Sequence, residues 1–306
     1  MFFYGVDLMN YFFGAPGAAP ACGVFSPAHL ISLGICIVGI VVALYFTRNI
    51  SKKHLRVVTR VMAVVFTVLE IIKIIFKFVI EKPHVLGNGG IWQVDHWLPL
   101  AFCSLFIYVL WMCGFGKGIV YRLGASFICG GCFVGGLAFL ILPLTSLQSY
   151  PIYHFLCLHS MLFHSCMIYM AGIYIKQSGY NVINKNNYKY YVAIVGGAGA
   201  LSIIINVITY LVPGLNAANV MLLRHLPVGP EFPISFMYDF VGDIKFPFTF
   251  YTIGGLICYT VVPYFFMYFV VRVYRLIKKQ ILKSRAKKSE INKGNEEVKE
   301  LDPQVR

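Results

Sequence analysis

Seven runs of mostly apolar residues decide what this chain can fold into. They lie at about 28–46, 61–79, 97–114, 119–143, 151–175, 190–212 and 247–271, bounded by proline, glycine and clusters of charge. About 20 apolar residues at ~1.5 Å of helical rise each are enough to cross the ~30 Å hydrocarbon core of a bilayer. Composition points the same way. The chain is 58% hydrophobic and only 12% charged, against about 25% charged in a soluble domain. The expected fold is all-α: a polytopic membrane bundle of about seven transmembrane helices.

Positive charge predicts the orientation. With the N-terminus outside, the inner side collects 21 of the 26 Lys and Arg, and the outer side holds only Lys82, Arg224 and Lys245. Lys73 and Lys77 lie within the second run. That asymmetry is the positive-inside pattern in every loop, so the C-terminus is expected to be cytoplasmic. Eleven basic residues stand at or beyond Arg272, which points to a membrane-anchored tail and not to nucleic acid. The first Lys or Arg is Arg48, so the basic start of a signal peptide is missing. Three regions are expected: an apolar, interfacial segment over 1–27, a seven-helix domain over 28–271, and a basic, partly disordered cytoplasmic tail over 272–306. The proline-broken stretch 213–246 suits a re-entrant loop, which is tolerated only where protein buries it. Nine cysteines sit mostly in apolar stretches with no paired framework, so a disulfide scaffold is not expected.

Polar groups inside the runs are the candidates for function, because a charge at mid-membrane costs at least ~2.5 kcal/mol and normally faces the bundle interior. In the second run Glu70, Lys73 and Lys77 share an arc of roughly 60° on one helix face. They form either a structural ion pair or the polar wall of a substrate cavity. The fifth run carries His154, His159 and His164. Their steps of five place His154 and His164 within roughly 80° of each other and turn His159 away. This is not metal-ligand spacing, and no metal is expected. "CGGC" at Cys129–Cys132 has redox-like spacing, but Gly131 and Gly135 beside it read as close helix packing.

Cys103 stands apart from the other cysteines because Pro99, one turn earlier, leaves a gap in the backbone ladder. A thiol in apolar surroundings is inert unless a histidine takes its proton or a cation stabilises the thiolate. Counting helical rise inward puts Cys103 roughly 9 Å below the outer edge, His159 roughly 12 Å and His164 roughly 20 Å. Lys73 and Lys77 occupy the same outer half. By depth, His159 is the better partner for Cys103.

The order of several short motifs resembles the YwaF-like integral membrane proteins of bacteria and the related transmembrane protein 164 family of animals. The matching pieces are "FSPAHLISL", Glu70, "LPLAFCSL", "GGLAFLILP", "FHSCMIYMAGIYI", and "IN" at Ile205–Asn206. An Asn/Pro-rich segment before the last run completes the set. The resemblance covers about residues 24–270 and implies an acyltransferase that moves a fatty acyl chain between phospholipids without CoA or another cofactor. By the same resemblance Cys103 is the nucleophile and His164 the base, so depth and resemblance disagree over His159 and His164. The chain has Ala101 where many bacterial members carry a polar residue, often His. Lys73, Lys77 or Arg224 would hold the lipid phosphate, with Glu70, His154 and Asn206 lining the same site. The expected partners are membrane phospholipids as acyl donor and acceptor, with anionic lipid at the basic tail. The expected place is a bacterial plasma membrane. The rival reading is a seven-helix transporter or receptor for a small molecule or lipid, to which intramembrane charge is equally suited.

Overall fold

A computed structural model describes residues 12–14, 19–79, 94–147, 149–178, 181–212, 218–224 and 250–301. Among these, every regular element is a helix. All seven apolar runs are helical over most of their length, and five helices are long and apolar enough to cross a membrane: Pro27–Phe46, Gly118–Ile141, Phe155–Gln177, Lys185–Leu211 and Thr252–Arg285. The chain forms two compact units, residues 1–267 and 268–306.

The first long helix, α1 (Pro27–Phe46), starts where Ser26 accepts the His29 N–H at 3.2 Å and Pro27 fills the first turn. Such a cap is worth about 1 kcal/mol. Only His29 and Ile40 of α1 are buried. Helix α2 (Lys52–Val79) buries a stripe of Leu55, Thr59, Ala63, Phe66, Glu70 and Phe76, the three- and four-residue spacing of one helix face. Glu70 therefore lies on the buried side. The charged residues of α2 keep it out of the set of strongly apolar helices, although its length exceeds a bilayer.

The third run departs from expectation. It does not form one helix from Trp97. A short turn, α3 (Val94–Trp97), ends there, residues 98–104 are not helical, and α4 spans Leu105–Phe115. Pro99 explains the break: it donates no N–H and forces Leu98 out of helical geometry. Gly118, at φ +55°, turns the chain into α5 (Gly118–Phe127). A π-helical turn, Ile128–Cys132, joins α5 to α6 (Phe133–Ile141). Gly131 and Gly135 face the ring of Phe102 so closely that a β-carbon would lie 3.2 and 2.9 Å from it. The two cysteines of "CGGC" are buried and free, as are the other seven free of disulfides.

After a short turn, α7 (Leu144–Leu147), the central helix α8 (Phe155–Gln177) packs against α6, the π turn, α1, α2 and α7. It buries residues over most of its circumference, and leaves Leu158 and Leu162 exposed on the remaining face. Phe163 of α8 meets Phe66 of α2 and Phe106 of α4 edge-on, with centroids at 5.1 and 5.4 Å. This trio pins three helices together. Helix α9 (Tyr188–Leu211) packs against α5.

The last helix, α10 (Phe250–Leu301), runs well past the apolar run that ends near 271. Lys, Arg, Glu, Leu and Ile dominate residues 272–301, and such straight-chain residues extend a helix readily. Most of the tail expected to be partly disordered is thus helical. The N-terminal segment does not simply lie apart. Cys22 N–H donates to Tyr150 O and Gly23 N–H to Leu147 O, both at 2.9 Å, which ties it to the turn before α8. Of the stretch 213–246, only Ala218–Arg224 is described. There Ala218, Val220, Met221 and Leu223 are buried, and the rest of the stretch, with Lys245, lies outside the described residues, as does Lys82.

Candidate active site between α2, α4, α6 and α8

Cys103 sits in the turn that opens α4. Its carbonyl accepts Phe106 N–H at 2.9 Å, and Ala101 O accepts Leu105 N–H at 3.2 Å. Phe102 fixes this turn by stacking on Tyr259 (5.2 Å, 17°) and leaning on Phe127 (5.3 Å). The half-buried thiol points at the carbonyl of Gly135 on α6, 4.0 Å away. Because residues 98–104 are not helical, rise from Trp97 is no measure of its depth.

His164 is the most constrained imidazole of the fifth run. Its Nδ1 lies 2.7 Å from Ser160 O. A carbonyl oxygen only accepts, so Nδ1 carries the hydrogen and Nε2 presents a bare lone pair. Phe139 of α6 stacks flat on the ring at 3.6 Å and 6°, and Phe163 meets it edge-on. The side chain is 6% exposed and Nε2 has no hydrogen-bond partner among the described residues. His159 is 7% exposed and its Nε2 is also unpartnered, but its ring rests only between Phe155 and Phe163, at 6.0 and 5.8 Å. Neither nitrogen of His159 makes the orienting bond that fixes His164.

Two routes join thiol and imidazoles. Gly135 holds the Cys103 thiol, and the next residue, Gly136, lies against His164 O so tightly that a β-carbon would come within 2.7 Å. One turn later Phe139 covers the His164 ring. Cys103 and His164 therefore flank one short segment of α6. Phe106, three residues beyond Cys103, touches Phe163 beside His164. On the α2 side Glu70 and Lys73 are ion-paired, and both imidazoles lie within electrostatic reach of the Lys73 ammonium. The sulfur itself is not hydrogen-bonded to an imidazole; its partner is Gly135 O.

His154 and Asn206 are anchors in this structure. His154 caps α8: its Nδ1 accepts Leu156 N–H at 3.2 Å, and its Nε2–H donates to Gly14 O at 3.1 Å. Both nitrogens are committed, and Tyr150 stacks on the ring at 4.2 Å. Asn206, fully buried, clamps Val220 with both ends of its amide: Oδ1 accepts Val220 N–H at 2.8 Å, and Nδ2 donates to Val220 O at 3.2 Å. Thr209 accepts Ala218 N–H at 3.0 Å, and Thr252 donates to Leu223 O at 2.7 Å. These bonds hold Met221 and Leu222 in left-handed geometry, φ 56° and 54°. The clamped segment packs on Leu100 and Leu98 of the "LPL" stretch. Arg224, at the end of the segment, lies over Tyr210 at 5.4 Å. Lys77 is half-buried one turn beyond Lys73.

Sequence reasoning passed over His29. Its Nδ1 accepts Phe25 N–H and its Nε2–H donates to Leu140 O, both at 3.0 Å. It thereby ties the "FSPAHLISL" motif to the end of "GGLAFLILP". Phe139 and the Ser160 carbonyl were passed over too, since neither is a chemical group that a motif would flag. Among the described residues, no three His, Cys, Asp or Glu side chains come together as metal ligands.

A protein-family model, that of the TMEM164 family, matches residues 24–274, most of the chain. No curated protein and no solved structure matches it.

Proposed function

The chain belongs to the TMEM164 family, and on that premise we propose that it is a CoA-independent acyltransferase that moves a fatty acyl group between phospholipids through Cys103 and His164. That it is a multi-pass membrane protein follows from its long apolar helices and its family. One observation carries the choice of base: His164 is clamped on three sides with a bare, buried, unpartnered Nε2, across one α6 segment from the Cys103 thiol.

In the first half-reaction a rotation of the Cys103 side chain exchanges Gly135 O for His164 Nε2. His164 takes the thiol proton, and the sulfur attacks the ester carbonyl of a phospholipid. The C–O bond breaks, the imidazolium returns its proton to the departing alkoxide, and a lyso-lipid leaves a thioester on Cys103. In the second, His164 takes the proton of an acceptor lyso-lipid hydroxyl as that oxygen attacks the thioester. The C–S bond breaks and the proton returns to sulfur. Lys73, with Lys77 and Arg224 farther off, supplies counter-charge for the lipid phosphates. This reading places the chain in a bacterial plasma membrane with seven crossings, its N-terminus outside, its C-terminus cytoplasmic, and the site in the outer half. It also places the basic tail on anionic lipid.

The test is direct. Purified protein should transfer a labelled acyl chain from a phospholipid to a lyso-lipid, and Cys103→Ala should abolish the transfer. Full activity in Cys103→Ala would remove the nucleophile assignment.

The ion pair of buried Glu70 with half-buried Lys73, beside two imidazoles with unpartnered Nε2, also favours a second reading, a transporter or receptor without catalysis. That protein would tolerate Cys103→Ser and lose flux with Glu70→Gln. A thiol enzyme would show the opposite sensitivity.

A further inference from the structure

The start of α9 carries a feature that the acyl-transfer site does not use. The turn Lys185–Asn187 leads into the helix and is tightly braced. Asn184 Oδ1 accepts Asn187 N–H at 3.0 Å, Asn187 Nδ2 donates to Val182 O at 2.7 Å, and Tyr264 Oη donates to Asn184 O at 2.7 Å. The bracing presents Lys185 and Lys189, four residues apart, at the rim of an open hollow of about 730 Å³. Asn186 and Tyr188 complete the polar rim, and Val192 and Ala193 form the floor.

The floor continues along the helix. Lys189, Ala193, Gly197 and Ala200 lie within an arc of roughly 80°. Ala193, Gly197 and Ala200 are exposed, and a β-carbon at Gly197 would meet nothing within 4 Å. From Lys189 to Ala200 the helix rises roughly 16 Å, close to half the hydrocarbon thickness of a bilayer. Two cations thus stand over an uncovered, smooth apolar track one leaflet long. Both belong to the end of the bundle where other basic residues gather: Lys176 donates to Arg48 O, and Gln177 to Ile50 O.

We propose that the head of α9 binds one anionic phospholipid, with its phosphate between Lys185 and Lys189 and an acyl chain along Ala193, Gly197 and Ala200. Charge complementarity selects an anionic headgroup over a zwitterionic one. The track distinguishes a lipid from a free phosphate, which would gain nothing from it. The site uses neither Cys103 nor His164, and it stands whether or not the chain transfers acyl groups.

Native mass spectrometry of the full-length protein in neutral detergent tests this with phosphatidylglycerol and phosphatidylcholine of identical chains as probes. Phosphatidylglycerol adducts should exceed phosphatidylcholine adducts by roughly tenfold. K185Q/K189Q should cut that preference several-fold, leaving only what the basic tail holds, and the tail variant K278Q/K279Q should keep most of it. Gly197→Leu, at a position where a β-carbon meets nothing within 4 Å, should weaken the lipid adduct in protein that retains its Tm. Equal adducts of the two lipids, an undiminished preference in K185Q/K189Q, its loss in K278Q/K279Q, or full lipid binding in Gly197→Leu would each overturn the proposal. So would displacement of the lipid by inorganic phosphate in equal excess.

Discussion

At the scale of single residues, the difference between His159 and His164 is one hydrogen bond and one stacked ring. Both are buried and both have an unpartnered Nε2. Only His164 has its hydrogen fixed on Nδ1 by a backbone carbonyl and its plane fixed by Phe139. A general base works through position before strength. His164→Ala should therefore lower kcat for acyl transfer at least a hundredfold, and His159→Ala should leave most of it. Equal losses, measured on protein that retains its Tm, would make the pair a unit and not a base with a neighbour. His154 gives the contrasting case. Its two hydrogen bonds cap α8 and hold Gly14, and leaving two buried partners unsatisfied costs about 2–4 kcal/mol. His154→Ala should lower Tm by several degrees while activity per folded molecule holds. The sequence placed all three imidazoles on one helix but had no means of separating them. Angular position on a helix says nothing about which carbonyl or ring from another element arrives beside each one.

At the scale of elements, α6 matters most. It holds the Cys103 thiol through Gly135, fits against the α8 backbone through Gly136, and covers the His164 ring with Phe139. Gly136→Ala would bring a methyl group within 2.7 Å of His164 O and push α6 from α8. The expected result is a large loss of transfer with the helices retained, read as unchanged far-ultraviolet circular dichroism beside a reduced kcat. The clamp on Ala218–Arg224 acts at longer range. Asn206→Ala strands the N–H and C=O of Val220, at about 1–3 kcal/mol each. Amide exchange in 218–224 should then rise well above that of α9. The seven apolar runs were legible because twenty apolar residues admit few alternatives. The break at 98–104 was legible only in part: Pro99 announced a local gap, but the rise-based depth assumed a helix that the proline had already ended. The clamp was illegible, since Asn206 reads as an isolated polar residue until Val220 is beside it.

At the scale of the molecule, alternate loops between the apolar runs, together with the tail, hold most of the Lys and Arg, which gives the sequence a polarity. The acyl-transfer reading sets that polarity across a bacterial plasma membrane. Single cysteines introduced at Ser51 and Ser178 should react with an impermeant maleimide only from the cytoplasmic side; labelling of intact cells at either would reverse the orientation. That several long apolar helices can cross a membrane follows from hydropathy, which the sequence displays openly. What surrounds Cys103 and His164 depends on three elements far apart in the chain, and their meeting is a tertiary fact. The central claim is that a fatty acyl group rides on the Cys103 sulfur between two lipids. It is tested most directly by incubating the purified protein with a labelled phospholipid, without acceptor, and mapping the adduct by peptide mass spectrometry. A hydroxylamine-labile acyl group on Cys103, diminished in His164→Ala and discharged by added lyso-lipid, is the predicted result. An active protein whose Cys103 peptide stays unacylated throughout would contradict it.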